Sequence, residues 1–408
     1  MPPVPKNGTA LLPDLELDCP TMNGFEMLNV GRIIFGRGSV TRLPELIKGL
    51  GSASLVIHNV GRSTLSRISA LLDPAATEYF ELKGEPKVAD VQQALDLARS
   101  RGCDCIIGLG GGSAIDAAKA AAGLLGNGGE PLDYMEVVGR GWKIARPAAP
   151  WIAVPTTAGT GAEATRNAVI SCPEKQFKAS IRSELLLPRL ALIDAELHVD
   201  LTPETTASSG MDALCQLIES YTSTGAQPVT DALAIKGIEL ASRSLLGAYQ
   251  NGKDIAARED MALAALLSGI TLSNAGLGAV HGFAAPLGGN FPVPHGVVCA
   301  ALLPHVIEAN VEALRAQSVG HPVLRRYADV GRVIRGKPAM DDGQAIDACV
   351  QFCSDLLRQL SIPRLSRFGL SAKDVAPMVE LAKKASSMRY NPVALGDGVL
   401  AGILEKAL

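Results

Sequence analysis

No apolar run in the 408-residue sequence reaches the roughly 18 residues that a membrane-spanning helix needs, so no such span is expected. Basic residues are not in excess either. Lysine and arginine number 38 against 41 acids, a net charge of −3, so nothing draws the chain electrostatically to nucleic acid or to an anionic membrane. The opening stretch MPPVPKNGTALLPDLELDCP lacks the basic-then-apolar order of a secretory signal, which points to the cytoplasm. The eight cysteines are Cys19, Cys103, Cys105, Cys172, Cys215, Cys299, Cys349 and Cys353, and none of them forms a CxxC pair. A chain this large needs no disulfide framework, so buried, reduced thiols are expected.

What is present describes an ordinary globular protein: 47% hydrophobic residues, 19% charged and 42 glycines. At 408 residues a single core has stopped growing, and two domains are expected. In the first half, short apolar runs read as strands buried on both faces: Ala53–Ile57, Cys103–Leu109, Trp151–Val154 and Leu190–Ile193. Helical patterns lie between them. In Ala89–Ser100, for example, Val91, Ala94, Leu95 and Ala98 share one face. This alternation implies an α/β domain with a parallel sheet covered by helices on both sides. Residues 1–27 carry prolines and no periodicity, and read as an arm.

Near position 200 the text turns Ala/Leu-rich and 3.6-periodic. Thr202-Pro203 is a good helix start, with a hydroxyl cap followed by proline at the first helical position. The expected division is therefore an α/β dinucleotide-binding domain over 1–202 and an all-helical domain over 203–408. A proline- and glycine-rich loop is expected over 288–297.

Two turns look built for a ligand. Gly110-Gly111-Gly112-Ser113 follows a buried strand and opens a helix, so bare amides, a hydroxyl and the positive helix end converge where a pyrophosphate would sit. It is not the spaced Rossmann fingerprint, and a plain tight turn is the alternative. Pro155-Thr156-Thr157-Ala158-Gly159-Thr160-Gly161 follows another strand, at the sheet edge where open α/β proteins bind ligands. Two such turns on one sheet favour a dinucleotide crevice.

In the second half, Asp212 and Gln216 are four residues apart and share a helix face. His281 ends a helix-like stretch and His295 lies in the expected loop, both in apolar, glycine-rich surroundings. An acid and two histidines at bundle-interior positions point to a metal, against the alternative of satisfied core histidines. His305 reads as structural; His58, His198 and His321 read as surface or loop residues.

The stretches GGGSAIDAAK, PTTAGTGAEATRNAVI, GMDALCQLIESY and GLGAVHGFAAPLGGNFPVPHGVVCAALLPH occur in this order, and with them the chain resembles the iron-containing (group III) alcohol dehydrogenases over nearly its whole length. The resemblance implies an active site between the two domains and a homodimer. It assigns Gly111, Gly112 and Ser113 to the pyrophosphate, and Thr156, Thr157 and Thr160 to a second cofactor contact. Lys178 falls near the nicotinamide ribose and is paired with His281 as catalytic. The implied metal ligands are Asp212, His281 and His295, with Gln216 where the family has a fourth ligand, a histidine.

Three departures follow. Gln216 offers a neutral amide oxygen, a poorer donor to Fe2+ or Zn2+ than imidazole. Ala285 stands where many members carry a histidine that relays a proton. Asn59 replaces an aspartate that binds the adenosine ribose; with Arg62 nearby this permits NADP as well as NAD, unless Arg62 is only a solvated helix residue. The expected reaction is metal-assisted hydride transfer between NAD(P) and a small alcohol or aldehyde, in a pocket that Phe283 and Phe291 line. Two alternatives remain. Arg166, Arg182 and Arg389 would suit a carboxylate or phosphonate substrate. A chain that lost its metal through Gln216 would bind nucleotide only.

Overall fold

The computed structural model describes residues 24–175 and 177–408, so the expected arm lies outside the described residues except for its last part. Among the described residues eight strands are formed: β1 (Ile33–Phe35), β2 (Ser54–His58), β3 (Thr77–Glu81), β4 (Cys105–Gly110), β5 (Trp151–Pro155), β6 (Asn167–Cys172), β7 (Phe177–Arg182) and β8 (Leu190–Ile193). Six of them make one parallel sheet in the order β1-β8-β5-β4-β2-β3. β2, β4, β5 and β8 are buried along their whole lengths, as their unbroken apolar runs require. The helices that flank them are α1 (Leu43–Lys48), α2 (Arg62–Ser69), α3 (Val88–Ser100), α4 (Gly112–Asn127) and α5 (Pro131–Tyr134). α3 buries Val91, Ala94, Leu95 and Ala98, the face read from the sequence. β6 and β7 form a separate antiparallel hairpin that the sequence reading did not contain.

β3 and β4 lie on opposite sides of β2, so the strand order reverses between β2 and β4. That is the topological switch point, and the carboxyl ends there open the crevice in which such sheets take their ligands. Asn59 leaves β2, and the triple-glycine turn leaves β4, at this place.

From Pro203 onward the chain is helical: α6 (Pro203–Thr222), α7 (Pro228–Gln250), α8 (Ile255–Ala275), α9 (Ala279–Asn290), α10 (His295–Gln317), α11 (Pro322–Arg335), α12 (Asp342–Gln359), α13 (Ala372–Ala382) and α14 (Asp397–Ala407). Thr202 caps α6, its hydroxyl accepting from Thr205 N–H at 3.2 Å. The loop expected over 288–297 shrinks to the four residues 291–294, because α9 runs to Asn290 and Pro294 serves as the cap of α10. α10 is long and apolar enough to cross a bilayer, but 78% of its most apolar window is buried inside the fold. It is the central helix of the largest hydrophobic cluster, not a lipid-facing one.

The two halves are joined through α8, whose Ala262, Leu266 and Ile270 pack on Ala164, Ala191 and Ile193. The 155–161 turn presses into this seam. Gly161 has φ +58°, and a Cβ there would lie 2.5 Å from both Ala265 O and Gly269 Cα.

Candidate active site

At the switch point the two turns touch. A Cβ on Gly112 would lie 2.8 Å from Thr160 Oγ1, and one on Gly111 would lie 3.2 Å from Thr157 Cγ2. The glycines thus let two polar turns close to contact distance at the positive end of α4, with Ser113 in its first turn. Asn59 belongs to the same assembly. Its Oδ1 accepts from Gly111 N–H at 3.0 Å, so it shapes the turn directly. Arg62 is exposed at the start of α2.

Lys119 fastens the arrangement. Its fully buried ammonium donates to Ala162 O at 2.8 Å, Thr165 Oγ1 at 2.7 Å and Asn167 O at 2.7 Å, with Asp116 Oδ1 3.4 Å away. Burial pushes its pKa down, and Asp116 opposes that. Glu163 beside it is raised to about 7 by burial. Below the 155–161 turn, His198 Nε2 donates to Pro155 O at 3.1 Å, and burial lowers its pKa to about 4. His198 is therefore a buried support and not a surface residue. His58 is likewise buried, closing β2, because a strand inside a two-sided sheet has no solvent face.

The acid and histidines meet in the helical half. α6 carries Asp212 and Gln216 inward from one face, both buried. His281 sits in the first turn of α9, and His295 begins α10, so each histidine opens a helix; neither ends one nor lies in a loop. Asp212 Oδ1 is 3.3 Å from His281 Nε2 and 3.6 Å from His295 Nε2. Behind them Glu219 Oε2 lies 2.5 Å from His281 Nδ1 and so takes that ring's N–H. Burial opposes protonation of His281, but Cys299, Glu219 and Asp212 raise its pKa well above the usual value, so Nε2 carries a proton toward Asp212; a metal would replace that proton, leaving a neutral ring with Nδ1–H on Glu219. Acceptors then converge on a point that a cation satisfies, and a carboxylate behind the histidine is the usual outer support of a metal-bound imidazole. These residues therefore fit a divalent metal.

Cys299 completes the cluster; its Sγ is 3.6 Å from Nε2 of both His281 and His295. Donor atoms of Asp212, His281, His295 and Cys299 all lie within 4.8 Å of one another. Burial opposes ionisation of Cys299, but the hydrogen bond from Cys215 and the two imidazoles bring its thiol well below the usual value. The charge of Cys299 raises His295 to about 9. Burial and Cys299 raise Asp212, with His295 and His281 opposing.

Other expected site residues are placed less centrally. Lys178, on β7, pairs with Glu85 at 2.6 Å and comes within 3.4 Å of where a Gly288 Cβ would be, so it reaches α9 from the α/β half. Gln216 Oε1 accepts from Ser268 Oγ at 2.8 Å. Ala285 is exposed on α9. Phe283 is fully buried in the helical core and lines no open pocket, while Phe291 is half-buried. Arg182 is paired with Glu136 and Arg389 stacks on Tyr390. Two members of the cluster escaped the sequence reading. Cys299 stands four residues after His295 and Glu219 seven after Asp212, both spacings that share a helix face.

The chain thus pairs a two-turn crevice on a parallel sheet with a buried acid–imidazole cluster in a helical half that fits a metal. The iron-containing alcohol dehydrogenase model matches residues 31–195, and the model for the C-terminal part of that family matches 206–408. Alcohol dehydrogenase 4 of Saccharomyces cerevisiae is 36% identical over 381 residues, covering 91% of this chain and 96% of its own. Lactaldehyde reductase of Escherichia coli is 35% identical over 357 residues, covering 85% and 90%. A crystal structure of 1,3-propanediol oxidoreductase superposes with a TM-score of 0.86 at 31% identity, covering 95% of this chain and all of the other. Sulfoacetaldehyde reductase from Bifidobacterium kashiwanohense, solved in complex with NAD+, gives 0.83 at 26% identity, covering 94% and 99%. The chain belongs to the iron-containing alcohol dehydrogenase family and is an oxidoreductase of the alcohol dehydrogenase type.

Proposed function

We propose that the protein interconverts a small alcohol and its aldehyde by hydride transfer to and from NAD or NADP, with a divalent metal, Fe2+ or Zn2+, at the Asp212–His281–His295 cluster. The observation that carries this reading is the His281 ring held between Glu219 and Asp212, its Nε2 turned toward the carboxylate. The metal, when bound, supplies Lewis-acid polarisation of the substrate oxygen.

The chain's own residues do the rest. Gly111, Gly112 and Ser113 present amides and a hydroxyl to the pyrophosphate at the start of α4. Thr156, Thr157 and Thr160 line the other side of the crevice, and Lys178 stands between the halves for the nicotinamide ribose. Asn59 brings no carboxylate to the adenosine side, which leaves room for the 2′-phosphate of NADP. His295, its side chain 44% exposed, is the open face of the cluster and the side from which substrate arrives. With Ala285 in the relay position, the substrate proton leaves through water or the ribose hydroxyls. The domain division at 202/203, a homodimer and a cytoplasmic location belong to the same proposal.

A second reading, an anionic aldehyde as substrate, is favoured by one feature. Lys384, Arg389 and Met388 line a cavity of about 450 Å³ in which Lys383 is already paired with Glu380 and Asp397, and Met388 packs against Gly282, next to His281. The test is the nicotinamide absorbance on mixing metal-loaded protein with NAD+ or NADP+ and a panel of plain and anionic alcohols. Turnover with plain alcohols supports the first reading, and turnover confined to anionic ones the second. Bound nucleotide without turnover leaves a nucleotide-binding protein.

A further inference from the structure

Resting on the metal-site reading above, we propose that Cys299, and not Gln216, supplies the fourth protein donor, so that the centre is an Asp–His–His–Cys site.

α10 starts at His295, and Cys299 is one helical turn on, so the two side chains leave the same face toward the same point. Its Sγ is 3.6 Å from each imidazole Nε2, and Asp212 Oδ1 is 3.3 Å and 3.6 Å from the same two nitrogens. Tetrahedral zinc, bonded at about 2.3 Å to sulfur and about 2.0–2.1 Å to nitrogen or oxygen, sets its donors about 3.5 Å apart for sulfur–nitrogen and about 3.4 Å for nitrogen–oxygen. Four of the six donor–donor separations already match the edges of that tetrahedron, and all four donors lie within 4.8 Å of one another.

A purely structural thiol accounts for the geometry less well. Sγ lies at the same distance from both imidazole Nε2 atoms and has no solvent exposure, so the sulfur is shared between the two rings and is not committed to one partner. Gln216 is engaged elsewhere. Its Oε1 accepts from Ser268 Oγ at 2.8 Å, a bond from α6 to α8. Cys215 belongs to the outer layer, 4.0 Å from His281 Nδ1, the nitrogen that Glu219 already holds.

The exchange has chemical consequences. Two anionic donors neutralise a divalent ion completely, whereas one carboxylate with three imidazoles leaves a positive charge to bury. A thiolate also moves preference toward softer, tetrahedral Zn2+. The exposed His295 side is the one from which a substrate oxygen would approach the site.

Cobalt(II) reconstitution of the metal-free full-length protein tests this, because a thiolate on Co2+ gives a charge-transfer band in the near ultraviolet that oxygen and nitrogen donors do not. The wild type is expected to bind one Co2+ with that band. Q216A and C215S are expected to keep it. C299S is expected to lose it while still binding cobalt, with affinity reduced by more than the roughly 10–100-fold typical of losing an outer support. One cobalt bound by the wild type without the band, or a band that survives in C299S, overturns the proposal and leaves the metal site standing. No cobalt bound by the wild type removes the metal-site reading and the proposal together. Should C299S fail to fold, the wild-type, Q216A and C215S spectra decide it.

Discussion

His198 is fully buried under the 155–161 turn, with Nε2 on Pro155 O and Nδ1 without a partner. Between pH 6.5 and about 4 the unfolded chain binds a proton that folded His198 refuses, so folding loses stability as pH falls through that window. The loss from this group is about 2 kcal/mol at pH 5. Urea titrations at pH 7 and pH 5 should show a smaller drop for H198Q than for the wild type; equal drops would mean that His198 is not held neutral. The same scale shows what the sequence conceals. Asp212, His281 and His295 were legible because polar residues in apolar text stand out. Cys299 was not, because a cysteine reads as one more small apolar residue. His58 and His198 were misread because nothing beside them in the sequence reports a sheet packed above or an α/β turn resting on top.

At the scale of elements, α4 and the 162–164 turn are one unit because Lys119 crosses between them. K119M leaves Ala162 O and Asn167 O without their donor and Asp116 without its cation, at a cost of about 3–5 kcal/mol. Because both turns of the crevice lose alignment, the variant should also raise KM for the nucleotide several-fold with kcat less affected. An unchanged KM would separate Lys119 from the cofactor crevice. Central strands and α3 were readable from unbroken apolar runs and 3.6 periodicity. β1 is only Ile33–Phe35, and β3, Thr77–Glu81, is a half-exposed edge, so neither carries enough pattern. The start of α9 was hidden because Ala279–Ala284 is buried all round, which erases the period.

For the whole molecule, the proposed hydride transfer needs the 110–113 and 155–161 turns and the Asp212 cluster at a fixed separation, and the seam between the halves holds the 155–161 turn against α8. Gly161 meets Gly269 there at a distance no side chain tolerates. G161A, strained at φ +58° and overpacked, should cost roughly 2–4 kcal/mol and split the denaturation curve into two transitions; a single transition at the wild-type midpoint would show that the seam does not couple the halves. The change from α/β to all-helical structure was readable from composition, but the seam was not, since contacts between residues 100 apart leave no local trace. The central claim, that Asp212 and its histidines hold a metal for hydride transfer, is tested most directly by one rate. That rate is nicotinamide reduction by a small primary alcohol in metal-reconstituted wild type and D212A, each with its metal content measured. The account predicts one metal and turnover in the wild type, with metal lost and the rate down by at least about 1,000-fold in D212A. Equal rates in the two proteins would contradict it.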